Sequence, residues 1–293
     1  MSSLLFYIIY GLLRILSFIP LRILYIFSDL TGLILYHVIG YRRRVVFENL
    51  RRSFPEKTPF EIKSIAKRFY RHLGDLIIET IYQTGIGRKE IARRVKYNNP
   101  ELISRYFNEG KSVAAVMGHY GNWEWMFGFP MITSYRCVTI YRPLKNRLFD
   151  RLMLEMRSRF GADLVPMKLA VRKLYECREK GIPTITAFIA DQSPPREKSW
   201  YWIDFLNQDT PVYNGVAQIA RKMDLALVYF RMSKIRRGCY EFDFIPLFEN
   251  CGSMTELEIT RAHVSELEKH IRSKPEYWLW SHKRWKHKKE VGQ

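Results

Sequence analysis

Ser112-Val-Ala-Ala-Val-Met-Gly-His119-Tyr-Gly121-Asn122-Trp-Glu124 decides the reading of this chain. Residues 112–117 are short, small and apolar, as a strand covered on both faces is. The run ends on His119, and in α/β sheets the strand ends carry the ligand sites. Gly121 permits a sharp turn, and Asn122 can cap a helix starting at residue 123. Five residues along a continuous helix would separate His119 and Glu124 by about 140°. With the helix starting between them, Glu124 in its first turn can curl back towards His119. A neutral imidazole removes a proton from an alcohol, and a carboxylate holds that imidazole in the right tautomer. Spacing alone does not discriminate, because His263 and Glu268 repeat it. That second pair lies inside one charged helical pattern and reads as a solvated face.

Strands and helices alternate on both sides of this segment. Helices are predicted at 100–108, 123–129, 146–160, 169–180, 214–223 and 255–273. Strands are predicted at 137–141, 184–190 and 226–232, with a half-exposed strand around Tyr240, Phe242 and Phe244. Upstream, Thr58-Pro59-Phe-Glu61 has the form of a capping box with proline in the first turn. Apolar residues from Ile62 to Ile81 then recur at helical spacing, with Lys63, Lys67, Arg68 and Arg71 on a basic outer face and Gly85 as the stop. The alternation argues for an α/β domain with a central sheet. Arg142 follows one predicted strand, and Asp191 and Gln192 follow another, so the three would line one sheet edge beside His119. The fixed fork of Arg142 could hold a phosphate or a developing oxyanion.

The chain has 293 residues and a net charge of +19, with 15% aromatic residues. That charge calls for an anionic partner such as a membrane surface, an acidic protein or a phosphorylated substrate. Cys137, Cys177, Cys239 and Cys251 are scattered without a Cys-x-x-Cys, and read as reduced thiols rather than a disulfide frame or zinc site. Residues 4–21 are almost wholly apolar and just reach spanning length. Residues 23–41 are a poorer candidate, since Asp29 and His37 interrupt them. Arg42-Arg43-Arg44 follows, a flank that stays cytoplasmic. The simplest division is an N-terminal membrane-anchoring or interfacial segment, 1–41, and one catalytic domain, 42–293. The sequence contains no Gly-x-Ser-x-Gly elbow, Walker loop or His-Glu-x-x-His motif. No nucleic-acid-binding module is visible either.

Five segments together carry a resemblance. They are residues 42–55, from Arg42-Arg43-Arg44 to Phe54-Pro55; 119–124; 141–161, with Tyr141-Arg142-Pro143, Asn146 and Arg157-Ser-Arg-Phe-Gly161; Ala190-Asp191-Gln192-Ser193; and 275–286, with Trp280-Ser-His282-Lys-Arg284-Trp285. In this order they resemble the late acyltransferases of bacterial lipid A biosynthesis, the lauroyl/myristoyl transferase group of the lysophospholipid acyltransferase superfamily. The resemblance implies a glycerolipid acyltransferase-like fold, a central mixed sheet flanked by helices, behind an N-terminal membrane-anchoring segment. It implies that His119 deprotonates a hydroxyl of a lipid A precursor as that hydroxyl attacks an acyl carrier protein thioester (or acyl-CoA). Glu124 would orient His119, while Asn122, Arg142, Asn146, Arg157, Asp191 and Gln192 would bind substrate or order the site. No metal or organic cofactor is implied. The expected location is the inner membrane, with the catalytic domain on the cytoplasmic face and no nucleic-acid partner. Residues 205–215 depart from the family pattern, with Asn207 and Asn214 where members have glycine and threonine; this stretch would shape the acyl or acceptor pocket. The alternatives are an acyltransferase acting on another membrane lipid, or a non-catalytic basic membrane-binding protein.

Overall fold

The computed structural model describes residues 3–195 and 200–289. The chain opens with helices α1 (Ser3–Leu16) and α2 (Leu21–Leu33), the latter running into a π-helical turn at Ile34–Val38. Helices α3 (Arg43–Ser53), α4 (Pro59–Gln83) and α5 (Arg88–Arg94) follow. Then come β1 (Val95–Tyr97), α6 (Pro100–Asn108), β2 (Val113–Met117), a 3-10 helix at Trp123–Met131 and β3 (Arg136–Tyr141). Next are α7 (Arg147–Ser158), β4 (Asp163–Pro166), α8 (Ala170–Glu179) and β5 (Thr184–Ile189). The last part holds β6 (Trp200–Asp204), β7 (Asp209–Tyr213), α9 (Gly215–Lys222), β8 (Ala226–Arg236), β9 (Cys239–Phe248) and α10 (Glu256–Ser273).

Seven strands form one sheet in the order β1-β9-β8-β2-β5-β3-β4. The strands β8, β2, β5, β3 and β4 are mutually parallel, and β9 returns antiparallel to β8, which makes the sheet mixed. Central β2 is buried at all five positions, as its small apolar sequence requires. Val113, Ala115 and Met117 face one apolar cluster, with Ile103, Trp125 and Phe129. Ala114 and Val116 face another, with Leu174, Val216, Ala220 and Ile259 from α8, α9 and α10. Beyond the sheet, β6 and β7 form a separate antiparallel hairpin.

The capping box expected at Thr58 and Glu61 starts α4, and a second one, Thr255 with Glu258, starts α10. The basic outer face of α4 is exposed, as expected. His263 corrects the sequence reading. It is buried and faces the core rather than solvent, and Glu268 on another side of α10 is bonded to Arg272 instead.

The N-terminal segment also differs from expectation. The first apolar stretch breaks before Pro20, leaving α1 at 14 residues, about 21 Å at 1.5 Å per residue and too short to span. Residues 21–38 are long and apolar enough to cross a membrane. One side of α2 nevertheless packs along α4. A Cβ on Gly32 would sit 2.8 Å from the Tyr70 carbonyl oxygen, and one on Gly74 would collide with the Ser28 carbonyl, so glycine permits the close approach. Ser28 donates to Asp75 (2.6 Å), and Arg237 pairs with both Asp29 (2.7 Å) and Asp75 (2.5 Å). Asp29, costly in lipid, thus finds its counter-ions on the body of the protein. The opposite side of the helices exposes Leu12, Ile15, Ile23, Ile26, Phe27 and Leu30.

Candidate active site

The register of the sheet brings two site residues together. β2 and β5 are parallel neighbours with Met117 opposite Ile189, so His119 and Asp191, each two residues further on, leave the same sheet edge side by side. The Asp191 carboxylate takes three hydrogen bonds. His119 donates from its backbone N–H (2.8 Å to Oδ2) and its ring Nδ1 lies 2.6 Å from Oδ1, while Trp278 Nε1 donates to Oδ2 (2.8 Å). An ionised carboxylate only accepts, so Nδ1 carries a proton, and in the neutral ring Nε2 then presents the lone pair. Burial pushes the Asp191 carboxyl upward, but the electrostatic interaction with the adjacent His119 ring and these three hydrogen bonds outweigh it and bring it down to about 2. Nε2 lies 3.3 Å from the amide nitrogen of exposed Gln192, and the His119 side chain is 17% exposed. The imidazole is therefore fixed at one nitrogen and reachable at the other.

Glu124 is not the partner of His119. Its carboxylate, 5% exposed, is clamped by Arg157, which donates from Nε to Oε2 (3.0 Å) and from Nη2 to Oε1 (2.6 Å), with Trp123 Nε1 adding a bond at 3.2 Å. The expected curl back to His119 fails because Asp191 already occupies Nδ1 and a guanidinium fork is the better match for Glu124. Arg157 is correspondingly committed to Glu124 rather than free for a phosphate, and its guanidinium also lies over the Phe127 ring at 5.4 Å.

The turn itself is as the sequence implied. Gly121 has φ +61°, and a Cβ there would fall 2.8 Å from Met232 Sδ. Asn122 accepts from the Glu124 N–H (3.3 Å) and caps the 3-10 helix. It is fully buried, with its amide nitrogen bonded to Glu79 (2.8 Å), so it builds the turn. Asp191 is likewise buried. Asn146 caps α7, accepting from the Leu148 (3.1 Å) and Phe149 (3.3 Å) N–H groups. Arg142 is exposed at the end of β3 and makes no hydrogen bond or ion pair among the described residues.

Three features were not read from the sequence. The first is Asp191 as the group that holds His119. The second is the brace from the C-terminal segment. Besides Trp278, Leu279 N–H donates to the His119 carbonyl (3.2 Å) and Gly121 N–H to the Tyr277 carbonyl (3.0 Å). Asn49 of α3 in turn ties to the Trp280 and His282 carbonyls (2.9 Å each), so segments 42–55 and 275–286 meet behind the site. The third is an apolar pocket between the 3-10 helix and the sheet, lined by Met117, Trp123, Met126, Phe129, Ile185 and Ile189. Trp123 packs edge-on to His119 (4.7 Å), so the pocket opens beside the imidazole. Residues 205–215 do not line it; Phe205 packs instead on Trp278 and Trp285.

Nε2 of His119, in contact only with the exposed Gln192 amide among the described residues, thus lies beside an apolar pocket. The profile of the bacterial lipid A biosynthesis acyltransferases matches residues 1–287. The chain belongs to that family. No curated protein matches it. Membership makes it an acyltransferase of lipid A biosynthesis, with an acyl donor and a lipid A-type acceptor as substrates, and suggests association with a membrane.

Proposed function

We propose that the chain transfers a fatty acyl group from an acyl carrier protein thioester to a hydroxyl of a phosphorylated lipid A precursor, with His119 as general base. The observation that carries the reading is the His119–Asp191 pair, whose bonding leaves Nε2 unprotonated next to the apolar pocket. Nε2 accepts the hydroxyl proton as the oxygen attacks the thioester carbonyl carbon. The tetrahedral intermediate collapses with loss of the thiolate, which takes the proton back from Nε2. General-base assistance of this kind contributes roughly 10²–10⁴ in rate. Asp191 holds the tautomer and offsets the imidazolium charge, a role the sequence had assigned to Glu124. Glu124 and Arg157 act as a positioning pair that fixes the wall next to Trp123. The apolar side chains of this pocket meet the thioester end of the acyl chain, and Arg142, exposed at the same sheet edge, binds an acceptor phosphate.

The net charge of +19 suits both an acidic carrier protein and an anionic lipid surface. In this reading the exposed apolar side of α1 and α2 enters that surface, and the catalytic domain, residues 42–293, works on the cytoplasmic face of the inner membrane beside a cytosolic donor. The test is the lipid spectrum of a deletion strain. Lipid A lacking one secondary acyl chain supports the acceptor. Unchanged lipid A with another lipid under-acylated assigns the enzyme elsewhere.

A further inference from the structure

Glu79, near the C-terminal end of the long helix α4, is fully buried and takes four hydrogen bonds. Tyr25 Oη donates to Oε1 (2.8 Å). Asn122 Nδ2 (2.8 Å), Trp125 Nε1 (3.0 Å) and Tyr240 Oη (2.8 Å) donate to Oε2. Among the described residues no Lys, Arg or His pairs with it; all four donors are neutral side chains. Burying a carboxylate without a counter-ion costs several kcal/mol before hydrogen bonding. An apolar residue would fill the same space at no such cost, so packing alone gives no reason for an acid here.

The donors supply the reason. Asn122 and Trp125 belong to the segment that runs from His119 to Glu124 and into the 3-10 helix. Asn122 uses both ends of its amide: the nitrogen goes to Glu79 and the oxygen caps the Glu124 N–H. Two turns earlier on α4, His72 Nε2 lies 3.1 Å from the Gly121 carbonyl oxygen. α4 therefore grips the turn at two consecutive residues, between the base and Glu124. The fourth donor, Tyr25, sits on α2, which packs along α4.

We infer that Glu79 is a positioning residue for acyl transfer: it fixes Asn122, and through Asn122 the geometry of the His119–Glu124 turn, and it ties that turn to helix α2. The inference rests on His119 acting as the base. A shift of about 1 Å in a reacting group costs on the order of 10²-fold in rate, so losing this anchor falls on kcat rather than on substrate binding.

The test is a reciprocal exchange measured as kcat and KM, with purified full-length enzyme in detergent micelles, an acyl carrier protein thioester and a lipid A precursor. Asn122→Asp keeps a good N-cap but sets a second carboxylate against Glu79, and kcat falls about 100-fold with both KM values within about threefold. Adding Glu79→Gln removes the facing charge; because the same Oε2 position also takes Trp125 and Tyr240, the rescue is partial, at least about threefold of that loss. Glu79→Gln alone, which keeps size and an acceptor oxygen but loses the charge, lowers kcat about 3–10-fold at unchanged KM. The inference is overturned if the double variant is no faster than Asn122→Asp, or if Glu79→Gln leaves kcat unchanged. It is also overturned if the variants lower only the melting temperature while kcat per folded enzyme stays at the wild-type value. His119→Ala in the same assay separates the two levels. If it is inactive while residues 79 and 122 are uncoupled, only the Glu79 assignment fails; if it is active, the reading beneath fails.

Discussion

Asp191→Asn changes one atom and reverses the tautomer logic of the site. Asp191 Oδ2 accepts two N–H groups, from the His119 backbone and Trp278, while Oδ1 meets only the His119 ring. The asparagine side chain satisfies most partners with its oxygen in the Oδ2 place and its NH₂ facing Nδ1. Nδ1 must then accept, and the ring proton moves to Nε2, the atom that has to take the hydroxyl proton. A wrong-tautomer substitution of this type costs about 10⁴-fold in kcat in the serine-protease triad, or about 5 kcal/mol at 1.36 kcal/mol per decade. Since the three hydrogen bonds survive in number, the fold should lose no more than about 1–2 kcal/mol, the difference between charged and neutral acceptors. The assay is single-turnover acyl transfer by purified enzyme in micelles, with melting temperature measured on the same preparation. A fall of 10³–10⁵ in rate with near-native melting is the expected result. A folded Asp191→Asn enzyme within about tenfold of wild type would refute the assignment of Asp191 as the partner of His119.

Other expectations follow from the same geometry. Arg157→Met leaves Glu124 buried and unpaired, and lowers stability by about 2–4 kcal/mol in denaturant melts; Glu124→Gln in the same background recovers a substantial part of it. Burial holds His72 and His270 down at about 3, and His263 at about 4, all as neutral rings. The unfolded chain protonates these rings below about 6.5 while the folded chain does not, so stability is full above that pH and falls as the pH drops towards 4. The slope is about 1.4 kcal/mol per pH unit for each histidine, and melts at pH 7.5, 6 and 5 with and without His263→Leu measure it. Gly74→Ala places a methyl group against the Ser28 carbonyl and prises α2 from α4. The expected cost is about 1–3 kcal/mol, with faster limited proteolysis between the two helices as the readout.

Much of the scaffold was legible because its determinants are local. The small apolar run before His119, the capping box at Thr58 and the largely apolar stretches at 184–190 and 226–232 each dictate their own conformation. Strand β1, strand β4 and the β6–β7 hairpin were missed because three to five residues carry too little periodicity, and their pairing partners lie far away in the chain. The site was half legible for the same reason. His119, Gly121 and the Asn122 cap follow from local chemistry. The choice between Glu124 and Asp191 as partner does not, because it is set by the in-register pairing of β2 with β5, 72 residues away. A better reading was available in principle, since an acid at the equivalent position beyond a neighbouring parallel strand is as close as one five residues along. The bond from Asn122 to Glu79 is not legible either, because nothing local to Asn122 indicates a buried acid on α4. His263 misled in the opposite direction, as its charged neighbours in sequence project from other sides of α10.

The central claim is base-catalysed acyl transfer to a hydroxyl of a lipid A precursor, and its most direct test is the mass of the product. Purified enzyme, an acyl carrier protein thioester and a phosphorylated lipid A precursor should yield an acceptor heavier by one ester-linked acyl chain. With folded His119→Ala enzyme, that product should fall by at least about 10²-fold. Product formation by His119→Ala at the wild-type rate would contradict the account, as would an acceptor mass that wild-type enzyme leaves unchanged.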